Sequence, residues 1–306
     1  TTKSPNPEEK AAMELAIKKA KQTDADLILA TDPDADRVGT GIKMPNNDYK
    51  LLNGNQIAAL LTYYNLEMRK NRNSLPSNAF IVKTIVTTEL MREIADDYNV
   101  KIYDVLTGFK YIAELIRLKE GKEKFICGGE ESYGFLSADW VRDKDAIMTS
   151  CQIAELQEYA AMHGKTLMDI LQMLYEKYGY YLEDQKSISM TGIEGMENMK
   201  KLMDNYRNNP PEMINNIPAV KILDYQSSKI KNLKTNSIDS IDLPKSNVLQ
   251  FILEDNTKIT IRPSGTEPKI KYYFAIVKKN TNNESFEQMW AKLLSEMEEL
   301  KTFAEV

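Results

Sequence analysis

The sequence is poor in histidine and cysteine, the residues that most often carry nucleophilic and transition-metal chemistry. Its 306 residues contain one histidine and two cysteines. The histidine, His163, stands where a helix is expected to end, as is typical of a cation near a helix C-terminus. This argues against histidine-based triads and histidine-ligated metals. Acid or base chemistry must therefore come from lysine, aspartate or glutamate.

Other absences restrict the class of protein. Cys127 and Cys151 lie far apart without CxxC spacing, so neither a disulfide framework nor a zinc site is expected, and a reducing cytoplasm is favoured. No run approaches the roughly 18 apolar residues of a membrane helix. A net charge of -5 and a pI near 5.3 disfavour a nucleic-acid partner. Because the chain begins Thr1-Thr2-Lys3 without Met, we expect a piece of a longer protein.

The first 191 residues alternate between strand and helix patterns, which predicts an α/β fold with parallel or mixed sheets and flanking helices. A linker-like composition over 71–76 predicts a boundary that separates residues 1–72 from 75–191. Predicted strands cover 26–30, 80–86, 100–105 and 125–127, and predicted helices cover 7–22, 55–70, 89–98, 111–118, 145–162 and 166–178.

Residues 192–306 have a different character. The segments 248–253 and 258–261 predict a hairpin, and 270–277 predicts a third strand. A final amphipathic helix begins with a capping box formed by Ser285 and Gln288. We expect an α+β unit with an antiparallel sheet.

The strongest motif is the aspartate loop, residues 31–37, which follows a predicted strand. Asp32, Asp34 and Asp36 alternate in a tight turn and would repel one another unless a cation lay among them. Hard oxygen ligands favour Mg²⁺, and the glycine and glutamate of an EF-hand are missing from their places. The sequence therefore predicts a Mg²⁺ site in contact with a phosphate.

Two further loops combine glycine with polar groups. In the glutamate loop, residues 128–134, Glu130 and Ser132 are spaced to grip neighbouring sugar hydroxyls, and a nucleophile elbow is ruled out because Glu130 replaces its first glycine. In the arginine loop, residues 262–269, a guanidinium, hydroxyls and turn N–H groups form an anion nest that does not match the Walker pattern. The groups concerned are Arg262, Ser264, Gly265 and Thr266.

Residues 106–110 and 141–145 are weaker candidates, because alone such segments are more often solvated surface. However, Asp32, Thr107 and Glu130 all follow predicted strands, at the carboxyl ends where open α/β sheets bind ligands.

Together these loops resemble the α-D-phosphohexomutase superfamily, the phosphoglucomutases and phosphomannomutases. T-D-P-D-A-D-R resembles its metal loop, G-E-E-S-Y-G its sugar loop and R-P-S-G-T-E-P its phosphate loop, in the family's order. The resemblance implies the latter part of the second domain (1–72), the third domain (75–191) and a TATA-binding-protein-like fourth domain (192–306). The catalytic serine of the first domain lies in a T-A-S-H-N-P-type motif that these residues lack.

The resemblance also implies roles for single residues. Arg37 is expected near the reacting phosphate, and Lys144 resembles a lysine proposed for acid/base work or substrate contact. Lys83 resembles a second active-site lysine. Gly134 replaces a histidine found in bacterial phosphomannomutases, which favours the glucose-like branch. The remaining positions match the Mg²⁺ ligands Asp32, Asp34 and Asp36, the sugar contacts Thr107, Gly108, Glu130 and Ser132, and the phosphate contacts Arg262, Ser264, Gly265 and Thr266.

The implied reaction is a two-step phosphoryl transfer through a phosphoserine, with glucose 1,6-bisphosphate as intermediate and activator and a hexose phosphate as substrate. Mannose or pentose phosphate remain open as substrates, and so does the oligomeric state. Two alternatives also stay open. One is a phosphosugar-binding module without turnover, and the other is a Mg²⁺-dependent phosphatase that uses an aspartate of the aspartate loop as nucleophile.

Overall fold

The computed structural model describes residues 2, 4–190, 194–265 and 267–305. The chain forms two compact units, Thr1–Tyr178 and Gly179–Val306. The sequence placed its last boundary at 191/192. The structure divides the chain earlier because the strand that begins at Tyr180 pairs along its whole length with a strand of the second unit. The further division at 72–75 stays a prediction.

The first unit contains a three-stranded and a four-stranded sheet with helices around them. Its elements are α1 (Lys10–Thr23), β1 (Leu27–Thr31), β2 (Val38–Lys43), β3 (Tyr49–Leu52), α2 (Gly54–Asn71), β4 (Ala79–Thr84), α3 (Leu90–Asp97), β5 (Lys101–Val105), α4 (Phe109–Lys119), β6 (Lys124–Gly129), β7 (Phe135–Leu136), α5 (Ala146–Met162) and α6 (Leu167–Tyr178).

The four-stranded sheet has the order β5-β4-β6-β7 and carries most of the site. β4 pairs in parallel with β5 and β6, which confirms the predicted parallel sheet, and the short β7 adds an antiparallel strand. The parallel strands end at Thr84, Val105 and Gly129, so the segments that follow them emerge at one edge. The sheet is fixed by an apolar core of Phe80, Val82, Val105, Phe109, Ile112, Ile116, Phe125 and Leu136.

The three-stranded sheet presents the aspartate loop. β1, β2 and β3 are consecutive and antiparallel, and the aspartate loop connects β1 to β2. β2 and β3 were not predicted. In β2, Gly39 and Gly41 weaken the strand signal, and β3 is only four residues long. Ile28 on β1 packs with Met13 and Ala20 of α1, so the helix covers this sheet beside the loop.

The second unit is an antiparallel sheet with helices, which confirms the predicted α+β class. Its sheet order is β12-β11-β10-β13-β14-β15-β8, with β9 paired to β10. The elements are β8 (Tyr180–Ser189), α7 (Gly195–Asn208), β9 (Met213–Ile214), β10 (Ile217–Asp224), β11 (Lys229–Asn232), β12 (Ile238–Ser240), β13 (Leu249–Leu253), β14 (Lys258–Pro263), β15 (Lys269–Lys278), α8 (Phe286–Lys301) and a 3₁₀ turn (Thr302–Glu305).

The predicted capping box of the last helix is confirmed. The Ser285 side chain accepts a hydrogen bond from the backbone of Gln288, and the Gln288 side chain accepts one from the Ser285 backbone. Among the described residues, no helix combines the length and apolar character that crossing a bilayer requires.

Candidate functional site

The aspartate loop is folded by the first of its own carboxylates. Asp32 Oδ1 accepts hydrogen bonds from the backbone N–H groups of Asp36 and Arg37, each at 3.1 Å. Ala35 adopts a left-handed conformation with φ of 54°, which turns the chain so that alternate side chains point to one place. Asp32, Asp34 and Asp36 each offer a carboxylate oxygen within 4.8 Å of the others. The three predicted metal ligands therefore converge.

The electrostatics of these carboxylates fit a cation. Burial raises the pKa of Asp32, and the neighbouring Asp36 carboxyl raises it further. Asp36 Oδ1 is buried and accepts no hydrogen bond from the residues that the structure describes. A buried, unsatisfied carboxylate oxygen beside two others is a donor set for a hard divalent ion. The loop therefore fits Mg²⁺, which Asp32, Asp34 and Asp36 would hold.

Arg37 joins the aspartate loop to the glutamate loop. Its backbone forms a bridge with Gly134. Its guanidinium Nη1 donates to Glu8 Oε1 at 3.2 Å, while its Nε lies 3.6 Å from Asp36 Oδ1 and 3.8 Å from Asp32 Oδ2. A guanidinium thus lies at the edge of the candidate metal site, and its expected place near a reacting phosphate stays a prediction.

Lys144 lies on the other side of Asp36. Its ammonium is ion-paired with Asp36 Oδ2 and lies 3.3 Å from Asp143 Oδ1. Burial acts to lower the pKa of Lys144, but the hydrogen bonds and charges of Asp36 and Asp143 outweigh it and raise the pKa above the ordinary lysine value. Lys144 is therefore a cation at neutral pH, suited to donating hydrogen bonds and not to removing protons.

Gly134 leaves the space that Lys144 occupies. A Cβ at this position would lie 2.6 Å from Lys144 Cδ. The backbone N–H of Ala146 donates to the carbonyl of Ala35 at 3.1 Å, so the start of α5 is tied to the aspartate loop. Any residue larger than glycine at position 134 would therefore clash with the Lys144 side chain in this position.

The glutamate loop closes on itself and buries its first carboxylate. The Glu130 N–H donates to the Gly134 carbonyl at 2.8 Å, and Tyr133 has a φ of 69°. Glu130 is 7% exposed, and its Oε1 accepts a hydrogen bond from the Gly108 N–H at 2.9 Å. The predicted residues Thr107 and Gly108 are thereby brought to Glu130. Ser132 is partly exposed in the same loop.

Burial and the charge of Glu131 raise the pKa of Glu130 to about 7, although the Gly108 hydrogen bond and the Lys144 and Arg37 charges oppose the shift. Glu130 can therefore exist in both protonation states near neutral pH. A carboxyl in this condition can accept from one sugar hydroxyl or donate to another.

Lys83 is in a different environment from Lys144. It has no exposed surface, and its ammonium lies 2.9 Å from Glu89 Oε1 and 3.0 Å from Asp104 Oδ1. It also donates to the carbonyls of Thr84 and Thr87 at 3.3 Å. Burial acts to lower the pKa of Lys83, but the two carboxylates raise it. In this structure Lys83 holds the turn after β4, and its predicted contact with substrate stays a prediction.

Two carboxylates of the site were not singled out from the sequence. Glu131 Oε2 accepts from Thr84 Oγ1 at 3.2 Å and from Thr87 Oγ1 at 3.4 Å, so it attaches the glutamate loop to the turn after β4. Glu8 falls inside the helix predicted over 7–22, but α1 begins at Lys10 and the Glu8 carboxylate accepts a hydrogen bond from Arg37. The i,i+2 pattern of acids indicated the candidate metal ligands from the sequence alone, whereas the contacts of Glu8 and Glu131 depend on how the chain folds.

The arginine loop lies in the second unit, between β14 and β15. Arg262 is the next-to-last residue of β14 and pairs with Lys271. The Ser264 N–H donates to the Lys269 carbonyl at 2.7 Å, and Ser264 Oγ accepts from the Glu267 N–H at 3.2 Å. A Cβ on Gly265 would meet nothing within 4 Å, so the backbone there is open to approach. Thr266, the fourth predicted phosphate contact, lies outside the described residues.

Comparisons with known proteins agree with this arrangement. Residues 1–43 match the model of the phosphoglucomutase/phosphomannomutase alpha/beta/alpha domain II, and residues 53–178 match that of domain III. The second match includes α2, which the sequence analysis had placed in the preceding domain. The two matches together cover more than half of the chain.

Whole-chain similarities extend through the second unit. A phosphoglucomutase of Staphylococcus haemolyticus is 37% identical over 289 residues, which are 94% of this chain and 51% of that protein. A phosphoglucomutase of Staphylococcus aureus strain MRSA252 is 38% identical over 90% of this chain and 49% of that protein. The crystal structure of the Paramecium exocytosis-sensitive phosphoprotein pp63/parafusin matches 98% of this chain and 50% of its own with a TM-score of 0.65 at 16% identity, which shows the fold alone.

The chain thus spans about half the length of the curated relatives it matches. The aspartate and glutamate loops fall inside the two matched domains, at the edge where their strands end. From these matches and this geometry, the chain belongs to the phosphoglucomutase/phosphomannomutase family.

Proposed function

We propose that this chain binds one Mg²⁺ and a hexose phosphate, and that it supplies these sites to the interconversion of hexose 1-phosphate and hexose 6-phosphate. The observation that carries the proposal is the convergence of three aspartates, Arg37 and Lys144 beside the closed glutamate loop. Cations around a carboxylate cluster suit a phosphoryl group, and a neighbouring carboxyl and hydroxyl suit sugar hydroxyls.

In this proposal the reaction proceeds in two steps. A phosphoserine transfers its phosphoryl group to the free hydroxyl of the hexose phosphate, and a hexose bisphosphate such as glucose 1,6-bisphosphate forms. The bisphosphate then reorients in the site. The serine oxygen takes back the phosphoryl group at the other end of the sugar, which leaves that sugar hydroxyl free. When bound, Mg²⁺ supplies charge neutralisation to the phosphoryl oxygens.

The described residues have separate tasks in this scheme. Arg37 and Lys144 donate hydrogen bonds to phosphoryl oxygens, since a guanidinium and an ammonium group carry donors only. Glu130 and Ser132 bind the sugar hydroxyls, and the Gly108 N–H orients Glu130. Arg262 and the open backbone at Gly265 bind the phosphate that does not react. The resemblance implied acid/base work or substrate contact for Lys144. Because Lys144 is protonated, it could serve in acid/base work as a proton donor and not as a base.

The serine that would carry the phosphate is the missing part. No T-A-S-H-N-P-type segment occurs in the 306 residues. Ser132 and Ser264 are assigned to ligand contacts, so we expect the purified chain to bind ligands without mutase turnover. Turnover with glucose 1-phosphate, the bisphosphate and Mg²⁺, persisting after removal of host enzyme, would contradict this mechanism.

Calorimetry with Mg²⁺ tests the metal part of the proposal. Asp34 is exposed, so Asp34→Ala should leave the fold intact while it removes one of three ligands. We expect Mg²⁺ affinity to fall at least about tenfold, because the cation loses a charged oxygen ligand. Asp48→Ala, an exposed aspartate that pairs with Lys21, is the matched control. Equal Mg²⁺ affinity in both variants would remove the metal assignment.

A further inference from the structure

Glu8 lies in a short segment that precedes α1 and is packed onto the strand after the aspartate loop. Pro7 is buried, and a Cβ on Gly39 of β2 would lie 2.8 Å from Pro7 Cβ. The Glu8 N–H donates to Asn6 Oδ1 at 3.1 Å, and the Glu9 N–H donates to the Asn6 carbonyl at 2.9 Å. This turn fixes the backbone of Glu8 before the helix begins. The packing of Pro7 and these two hydrogen bonds therefore determine where the Glu8 side chain leaves the backbone.

The Glu8 carboxylate contacts Nη1 of the Arg37 guanidinium, whereas Asp32 and Asp36 lie nearest to its Nε. Its Oε1 accepts from Arg37 Nη1 at 3.2 Å, and the Glu8 side chain is 18% exposed. The contacts of Arg37 Nε with Asp36 and Asp32 are longer, at 3.6 and 3.8 Å, and Nε makes no hydrogen bond with the described residues. Among these three carboxylates, Glu8 is thus the hydrogen-bonded partner.

Glu8 also lies near the glutamate loop. Burial raises the pKa of Tyr133 to about 12, and the charge of Glu8 adds to the shift. Because Arg37 bridges to Gly134, one carboxylate outside both loops faces the place where they meet. A carboxylate at this place can act on the guanidinium without using a metal ligand.

The geometry has a consequence for the metal site. Arg37 faces Asp32 and Asp36, which would also hold Mg²⁺, so an unrestrained guanidinium would compete with the ion for their oxygens. A third carboxylate on the far side draws the guanidinium away from that position. We propose that Glu8 is a positioning residue that holds the Arg37 guanidinium beside the metal carboxylates and prevents it from closing onto them. The proposal rests on the proposed function, since it assumes that these aspartates bind Mg²⁺.

A double-mutant cycle tests the role of Glu8 through Arg37. In Glu8→Gln we expect Mg²⁺ affinity to fall about fivefold or more, because Arg37 then pairs with Asp32 and Asp36. In the Arg37→Gln background the same change should alter affinity by less than about twofold, since only the distant charge of Glu8 is lost. Glu9→Gln, a neighbouring exposed glutamate, is the matched control and should leave affinity unchanged.

Two results would overturn the proposal. One is a Glu8→Gln variant that binds Mg²⁺ as tightly as Glu9→Gln does. The other is a loss of affinity that is just as large when Arg37 is already glutamine, because Glu8 would then act by charge alone. Glu8→Asp, which keeps the carboxylate one methylene shorter, should recover part of the affinity. Circular dichroism and thermal unfolding of each variant check that it is folded.

Nitrogen-15 NMR of the arginine side chains provides a readout that needs no ligand. With Glu8 present, the Arg37 Nη signals should show slowed rotation of the guanidinium, and Glu8→Gln should remove this signature or move it, whereas Glu9→Gln should not. If the wild-type chain binds no Mg²⁺, the proposed function fails while the NMR result still decides whether Glu8 positions Arg37. Unchanged Arg37 signals in a folded Glu8→Gln protein would exclude that positioning.

Discussion

Lys144 and Asp36 form an ion pair between the start of α5 and the aspartate loop. Both side chains are mostly buried, with 15% and 23% exposure. The same Asp36 carboxylate is a candidate metal ligand, so the ammonium and the cation draw on one carboxylate. With Asp36 as a proposed Mg²⁺ ligand, the ion pair with Lys144 would compete with the metal for this carboxylate.

Lys144→Met should raise the affinity of the chain for Mg²⁺ by about three- to tenfold, because a competing cation and its repulsion are both removed. The same variant should weaken binding of glucose 1-phosphate, which loses a charged donor. Lys124→Met removes an exposed pair with Asp139 and is the matched control. Calorimetry with each ligand measures both effects. A variant that binds Mg²⁺ no more tightly than the wild type would show that Lys144 and the metal do not share Asp36.

The sequence predicted the elements with strong periodicity and the loops with unusual composition. The parallel strands, the last helix and its capping box were all predictable, because buried runs and amphipathic spacing depend on local sequence. β8 was missed, because its polar second half reads as a loop until it pairs with β15. The division between the units shifted for the same reason.

The site shows the same limit. The three aspartates could be recognised as a candidate cation site because they alternate within one segment of seven residues, 31–37, where their charges would repel one another. The roles of Glu8 and Glu131 could not, since Arg37 is 29 residues from Glu8 and Thr84 is 47 residues from Glu131. The buried state of Lys83 was equally hidden, because its partners Glu89 and Asp104 come from two other segments.

Gly54 permits a close approach of two backbones. A Cβ at this first residue of α2 would lie 2.1 Å from the carbonyl oxygen of Glu131. Gly54→Ala should therefore destabilise the protein by about 2 kcal/mol or more, although alanine ordinarily favours a helix. Gly265→Ala, where a Cβ meets nothing within 4 Å, is the control and should be nearly neutral. Urea unfolding measures both, and equal stabilities would show that the glutamate loop can move away from α2.

Arg262 should distinguish a phosphorylated sugar from a free one. Arg262→Ala is expected to weaken binding of glucose 1-phosphate by about 2 kcal/mol, because a charge-assisted contact is lost. Arg262→Lys should recover only part, since the planar fork is absent. Lys245→Ala, an exposed lysine of the same unit, is the control. If wild-type protein binds glucose as tightly as glucose 1-phosphate, the arginine loop does not recognise phosphate.

Glu130 should make the stability of the protein depend on pH in an unusual direction. Its pKa rises from 4.5 to about 7 on folding, so the folded state holds a proton that the unfolded state has released. The stabilising effect of that proton is complete below about pH 4.5 and is lost as the pH rises through about 7. In Glu130→Gln this loss cannot occur, so its free energy of unfolding should change less between pH 5 and pH 9 than that of the wild type. The largest difference that the shift allows is about 3 kcal/mol.

Glu114→Gln, an exposed glutamate on α4, should follow the wild-type curve. Urea unfolding at several pH values measures all three proteins. Parallel curves for the wild type and Glu130→Gln would mean that folding does not raise the pKa of Glu130.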